Sequence, residues 1–210
     1  MLISEFCGEL ATLRLPNCFN PYSDQCPVWD ADNAAEHRLR TLESLLRAAE
    51  HTDVDALWVG QDLGYNGGRR TGLAFTDDIH VQIHCQRWGV SGDRTTKGRP
   101  ISERSASVIW RALAPLPQKI FLWNVFPLHP HRPNEAFSNR THSRKERIVG
   151  QEFLQAIIAL IKPTKIVAIG THAYQTVARI DSRSVHRFRH PSYGGQNTFL
   201  SQVAELYSCY

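Results

Sequence analysis

Short apolar runs alternate with amphipathic segments along most of this chain. The apolar runs are rich in β-branched, aliphatic and aromatic side chains, which favours strands buried on both faces of a sheet. The segments between them carry apolar residues at helical spacing. We expect strands at 54–61, 119–126, 164–170 and 184–189. We expect helices at 34–50, 102–113, 143–161, 171–180 and 196–207.

The order of these elements indicates the fold class. Strands that alternate with helices predict an α/β fold, a three-layer α/β/α sandwich with a central, mostly parallel four-stranded sheet. A chain of 210 residues is long enough for one well-buried domain and short for two. We therefore expect a single domain over residues 1–210, in which 1–33 form an irregular segment packed on the rest.

Composition indicates which kind of partner and which cellular compartment to expect for this protein. Of the 24 basic residues, 19 are Arg, and arginine binds phosphate with two parallel hydrogen bonds. This balance is compatible with a nucleic-acid partner, although a GC-rich genome would produce it as well. The five cysteines are odd in number and scattered, which favours a reduced, cytoplasmic setting without a disulfide framework. No apolar run approaches a membrane span, and the N-terminus lacks a signal pattern.

An acid follows directly on the first expected strand. Gly60-Gln61-Asp62 ends the apolar run at the carboxyl edge of the sheet, where α/β folds build their sites. A loop then begins in which Gly67-Gly68 could approach a ligand closely, and in which Arg69-Arg70 supply groups suited to phosphate. The combination points to chemistry on nucleic acid.

Two other expected strands end in polar groups. Asn124 lies near the end of the run at 119–126, and His190-Pro191-Ser192 follows the short basic strand at 184–189. Because parallel strands end at one edge of a sheet, a carboxylate, an amide and an imidazole should converge on one crevice.

These motifs, in this order, resemble the uracil-DNA glycosylase superfamily over roughly residues 57–207. Gly60–Asp62 matches the start of that family's water-activating loop, and Phe75 follows Gly60 at the spacing of its stacking aromatic. Asn124 corresponds to the amide that reads the base, and His190–Ser192 matches its His-Pro-Ser loop. The resemblance implies a parallel sheet between helices and DNA as the partner. Some members of the superfamily carry an iron–sulfur cluster on four cysteines, but the cysteine spacings here do not match theirs, so we expect no cofactor or metal.

The resemblance also implies roles for single residues. Phe75 would stack on a base turned out of the duplex, and Asn124 would read the polar edge of that base. His190 would donate a hydrogen bond to a carbonyl oxygen of the base, while Asp62 would orient a water molecule and offset positive charge on the sugar. Gln61 would belong to the base pocket. Groups expected to hold phosphates are Gly67, Gly68, Arg69, Arg70, Ser192, Gly194 and Gly195.

The chain departs from the family pattern in two places. Where the family has a Tyr that blocks substituents at C5 of the pyrimidine, this chain has Gly64, with Tyr65 next to it. Either the pocket is roomier or Tyr65 takes over the same task. The family's wedge position falls on Gly194, so Tyr193 is the candidate that would enter the duplex.

The sequence therefore supports one main functional hypothesis and several alternatives. We expect a monomeric, monofunctional DNA glycosylase that removes uracil and leaves an abasic site. Gly64 motivates a first alternative, a glycosylase for mispaired thymine or for a C5-modified pyrimidine such as those of phage DNA, which would suit antiviral defence. The others are a DNA-binding protein that has lost catalysis and an enzyme that acts on free nucleosides or nucleotides.

Overall fold

The computed structural model describes residues 1–181 and 183–207, so Cys209 lies outside the described part of the chain. The strands are β1 (Cys18–Phe19), β2 (Ala56–Gly60), β3 (Ile120–Asn124), β4 (His129–Pro130), β5 (Lys165–Ile169) and β6 (Val185–Phe188). The helices are α1 (Ile3–Thr12), α2 (Ala34–Glu50), α3 (Gly68–Thr71), α4 (Val81–Arg87), α5 (Arg104–Leu113), α6 (Arg144–Ile161), α7 (Thr171–Ile180) and α8 (Gln196–Tyr207).

A four-stranded parallel sheet with the order β3-β2-β5-β6 forms the centre of the molecule, which confirms the expected fold class. Side chains of a strand alternate between the two faces of its sheet. In β2, Leu57 and Val59 accordingly pack with α1, α2, α6 and α7, whereas Ala56 and Trp58 pack with α5 and α8. All four residues are fully buried, so helices cover the sheet on both sides.

The N-terminal segment differs from the expectation. Residues 3–12 form α1, and Ile3, Phe6, Cys7 and Leu10 bury one face of it against the core. The prediction that 1–33 are irregular was therefore wrong for this part, because apolar residues at positions i, i+3, i+4 and i+7 give a short helix one buried stripe. None of the helices in the described ranges is long and apolar enough to cross a membrane.

Backbone pairing continues beyond the ends of β2 and β3. The N–H of Val125 donates to the carbonyl of Gly60 at 2.9 Å, and the N–H of Phe126 donates to the carbonyl of Gln61 at 3.0 Å. Gly60 and Asn124 are partners in the parallel register. The sheet thus brings the loop that carries Asp62 beside the end of β3.

Candidate active site

A cavity of about 350 Å³ opens at this carboxyl edge of the sheet. Eight residues predicted from the sequence to contact the base or the DNA, or to act in catalysis, line it together: Gln61, Asp62, Gly64, Gly68, Phe75, His190, Ser192 and Tyr193. The predicted base-reading residue Asn124 is buried and does not belong to this lining. Several other lining residues had not been predicted: Leu63, Glu103, Ser105, Asn139, Arg140 and Thr141. The volume lies at the lower end of the range for small-ligand pockets, roughly 300–1,000 Å³, which suits a nucleobase.

Asp62 is held by a histidine that sequence reasoning missed. The Nδ1 of His142 lies 2.6 Å from Oδ1 of Asp62, and the backbone N–H of His142 donates to Oδ2 at 3.4 Å. The two side chains are only 5% and 12% exposed, respectively. The two contacts with His142 therefore hold the carboxylate in place at the wall of the cavity that it lines.

The loop that carries His142 is anchored at both ends. Ser143 caps α6, and its side chain accepts from the N–H of Glu146. The guanidinium of Arg140 donates to both carboxylate oxygens of Glu146 at 2.7 Å. Burial alone would raise the pKa of Glu146, but the hydrogen bonds from Arg140 and from the Ser143 backbone lower it to about 2. This carboxylate stays ionised at neutral pH and keeps the loop in place.

The tautomer of His190 follows from its neighbour Ser192. The backbone N–H of Ser192 donates to Nδ1 of His190 at 3.2 Å, so the proton of the neutral ring resides on Nε2. Burial and the nearby charge of Arg189 lower the pKa of His190 below its ordinary value. Near neutral pH this side chain is thus a neutral imidazole that offers one N–H to the cavity.

Phe75 and Asn124 meet at Gly60. A methyl group on Gly60 would overlap the Oδ1 of Asn124 and the ring of Phe75, so both side chains lie directly against this glycine. Phe75 has a left-handed backbone, with φ of 53°, and its carbonyl accepts from the indole N–H of Trp110 at 3.0 Å. Non-glycine residues adopt this conformation at a cost, and such strain clusters at functional sites. The ring and the amide are therefore fixed side by side.

The space beside Gly64 is filled by Glu103. A methyl group on Gly64 would lie 2.5 Å from Oε1 of Glu103, and one on Gly67 would overlap Oε2. Tyr65 does not line the cavity, and its N–H donates to Asn139, so the suggestion that it replaces the missing wall was wrong. Burial and the charge of Asp77 raise the pKa of Glu103 to about 7.

Arg69 and Arg70 do not face solvent, which contradicts their predicted contact with phosphates. They are 4% and 3% exposed. The guanidinium of Arg69 stacks 3.7 Å from the ring centre of Phe19, and Arg70 forms a buried ion pair with Asp78 at 2.7 Å. Both arginines hold the loop from inside, Arg69 through its aromatic contact and Arg70 through its ion pair.

Three of the glycines expected to hold phosphates are buried as well. Gly67 donates its N–H to the carbonyl of Gly64, and Gly68 packs against Leu63. Gly195 donates to the carbonyl of Ser192, and a methyl group there would overlap the carbonyl of His190. The prediction of phosphate contacts was therefore wrong for Gly67 and Gly195, which permit close packing instead, whereas Gly68 lines the cavity and its contact stays a prediction.

The tip of the His-Pro-Ser loop does face solvent. Tyr193 is 96% exposed and has a left-handed backbone, with φ of 52°. Gly194 beside it is exposed and has open space around it. The expected wedge and one expected phosphate contact are thus accessible at the rim of the cavity.

Comparisons with known proteins support the same fold. A family model described as "Uracil DNA glycosylase superfamily" matches residues 49–208. The crystal structure of wild-type SMUG2 from Pedobacter heparinus matches with a TM-score of 0.66 and covers 99% of this chain and 97% of that one. The two sequences are 13% identical, so this likeness concerns the fold. No curated protein matches the sequence.

Proposed function

This chain belongs to the uracil DNA glycosylase superfamily, and we propose that it is a monofunctional DNA glycosylase. It would hydrolyse the N-glycosidic bond of a flipped pyrimidine, uracil by default, and leave an abasic site. The observation that carries this proposal is the position of Asp62, His190 and the aromatic ring of Phe75 on one cavity. A carboxylate, a neutral N–H donor and a stacking surface are what this reaction needs.

Base binding comes first. Turning a base out of the duplex costs a few kcal/mol, and stacking on Phe75 recovers about 1–3 kcal/mol. The amide of Asn124, which lies against the same glycine as Phe75, can donate and accept along the polar edge of the base.

Bond cleavage then separates two charges. The bond between the base nitrogen and C1′ of the sugar breaks, and its electron pair leaves with the base. The Nε2–H of His190 stabilises the resulting negative charge on the base oxygen, and Asp62 stabilises the positive charge on the sugar. The oxygen of a water molecule bonds to C1′, its proton passes to Asp62, and the departing base is protonated by solvent.

Contacts with the duplex are proposed for the exposed loop. Tyr193 would enter the gap left by the flipped base, and the backbone of Gly194 with the hydroxyl of Ser192 would contact phosphates. Arg187 on β6 and Arg189 directly after it are exposed, on the segment that leads to this loop. They replace the buried Arg69-Arg70 pair as candidates for phosphate binding.

The test uses duplexes with a single uracil and detects alkali-labile abasic sites. We expect cleavage by the native protein and a loss on the order of 10²-fold or more in Asp62→Asn and His190→Ala. Asp53→Asn, on an exposed loop away from the cavity, is the matched control. Native protein that binds the duplex and releases no base would identify the chain as a binding protein without catalysis. Equal cleavage by the native protein and both site variants would show that Asp62 and His190 do not carry the reaction.

A second candidate is a glycosylase for a bulkier pyrimidine. It is motivated by the wall at Gly64, where the carboxyl group of Glu103, and no aromatic ring, would meet a substituent of the base. Duplexes with a T·G mismatch or a C5-modified pyrimidine test it. Exclusive cleavage of uracil would refute this candidate.

A further inference from the structure

We propose that Glu103 determines base specificity by accepting a hydrogen bond from a donor group on C5 of the flipped pyrimidine. The substrate class would be pyrimidines whose C5 substituent ends in a hydroxyl or an amine, such as 5-hydroxymethyl or 5-aminomethyl bases. This inference rests on the proposed function, since it concerns the same cavity.

The carboxyl group of Glu103 is built into the cavity wall. Glu103 directly precedes α5, and its backbone N–H donates to Oδ2 of Asp77 at 2.6 Å. Asp77 is itself fully buried and accepts from the ring of His80 at 2.6 Å. The Glu103 side chain lies against the backbone of Gly64 and Gly67, where any larger residue would displace it. The carboxyl oxygens thus have a fixed location on this wall.

The order of groups around the cavity indicates which ring position meets Glu103. A pyrimidine carries its sugar on N1, which must face Asp62 for water to reach C1′. In the proposed binding mode its C2 oxygen accepts from the N–H of His190, and its N3–C4 edge is directed to the side of Gly60 and Phe75, where Asn124 is buried. Because C5 follows C4 around the ring, it points to the remaining wall of the cavity. That wall is the Gly64 segment with Glu103 behind it.

A carboxyl group accepts hydrogen bonds in its ionised and in its neutral form. Burial and Asp77 raise the pKa of Glu103 to about 7, so both forms are present near neutral pH and both could accept from a hydroxyl or an amine. A methyl group in the same place has no hydrogen-bond donor. It displaces water from the carboxyl group and does not replace the hydrogen bonds that the water made. Sites built around a polar group discriminate strongly against analogues that leave it unpaired.

The experiment compares excision of 5-hydroxymethyluracil, 5-aminomethyluracil, thymine and uracil from otherwise identical duplexes. Native protein should favour each donor-bearing base over thymine by at least about tenfold in kcat/KM, the value of one hydrogen bond to a partly buried carboxyl. Glu103→Leu should abolish both preferences. Glu103→Gln, whose amide oxygen still accepts, should retain the hydroxymethyl preference and lose most of the aminomethyl preference. Glu152→Leu, exposed on α6, is the matched control and should retain both.

Binding to duplexes that carry the same bases on 2′-fluoro sugars, which resist hydrolysis, provides a readout independent of catalysis. The inference is overturned if native protein excises uracil and neither excises nor binds the donor-bearing bases better than thymine. It is also overturned if Glu103→Leu leaves the preferences unchanged. Failure to release any base, with a Glu103-dependent preference in binding, would refute the proposed function and support the role of Glu103.

Discussion

His142 Nδ1 lies 2.6 Å from Asp62 Oδ1, although 80 residues separate them in the sequence. The contact joins the loop after β2 to the loop before α6. Arg140 and Glu146 brace the second loop, so the orientation of the proposed catalytic carboxylate depends on a segment that contains no family motif.

The first prediction concerns this pair. Replacing His142 with Ala should lower kcat on the order of 10²-fold with little change in KM, because a carboxylate displaced by about 1 Å no longer holds water in line. His142→Gln, whose amide can still donate to Asp62, should recover part of the rate. Single-turnover excision kinetics measure both. Equal kcat in the Ala and Gln variants would show that the hydrogen bond does not position Asp62.

The second prediction concerns the titration of His190. Burial and the charge of Arg189 both lower its pKa. Arg189→Ala removes only the second cause, so the pKa should rise toward the ordinary value of about 6.5 and stay below it. NMR of the ring nitrogens checks this and should also report the proton on Nε2 in the neutral form. A pKa unchanged by the substitution would contradict the electrostatic coupling.

The third prediction separates a structural arginine from a DNA-binding one. Arg70→Ala leaves the buried carboxylate of Asp78 without its partner and should cost about 3–5 kcal/mol of unfolding free energy. Arg40→Ala, which breaks an exposed pair with Glu36, is the control and should cost less than about 1 kcal/mol. Arg187→Ala should leave stability unchanged and weaken DNA binding, reducing its salt dependence by about one counterion. Chemical denaturation and binding titrations distinguish these outcomes.

How far the sequence predicts this structure depends on the kind of feature. Helices α2, α7 and α8 have the predicted boundaries because their apolar residues follow a helical period. Asp62, Phe75 and His190 could be placed on one site since each follows a strand end or lies at a family spacing. These are local signals, and each can be read from neighbouring residues.

The features that sequence reasoning missed depend on tertiary contacts. Nothing adjacent to His142 indicates that it contacts Asp62, and nothing adjacent to Glu103 indicates that it lines the cavity, because both positions depend on the tertiary packing. Arg69 and Arg70 follow glycines in a polar loop and read as exposed charges. The sequence does not reveal that Arg69 stacks on Phe19 and that Arg70 pairs with Asp78 in the interior.

The fourth prediction concerns Tyr193. Tyr193→Ala should lower excision from duplex DNA about tenfold or more, because insertion of an apolar side chain offsets a few kcal/mol of unstacking. Excision from single-stranded DNA, where no gap opens, should change little. Alanine at this left-handed position has the same backbone strain as tyrosine, so the comparison isolates the side chain. Equal losses on both substrates would argue against a wedge.

The fifth prediction tests whether Phe75 and Asn124 act as one surface. Ala at position 60 would place a methyl group where the Phe75 ring and the Asn124 amide now lie, so both must shift. We expect kcat/KM on uracil DNA to fall on the order of 10²-fold or more, because stacking and base reading are disturbed together. Gly8→Ala in α1, where the added methyl group meets open space, is the matched control and should stabilise the protein by up to about 1 kcal/mol.

The Gly60→Ala variant also distinguishes damage to the active site from loss of the folded structure. Gly60 is the last residue of β2, so the rest of the sheet pairing does not require it to be glycine. A Gly60→Ala protein that unfolds cooperatively near the native midpoint, yet fails to excise uracil, would identify the position as a constraint on the site. Native activity in that variant would mean that the base does not bind between Phe75 and Asn124, and the proposed pocket would have to be abandoned.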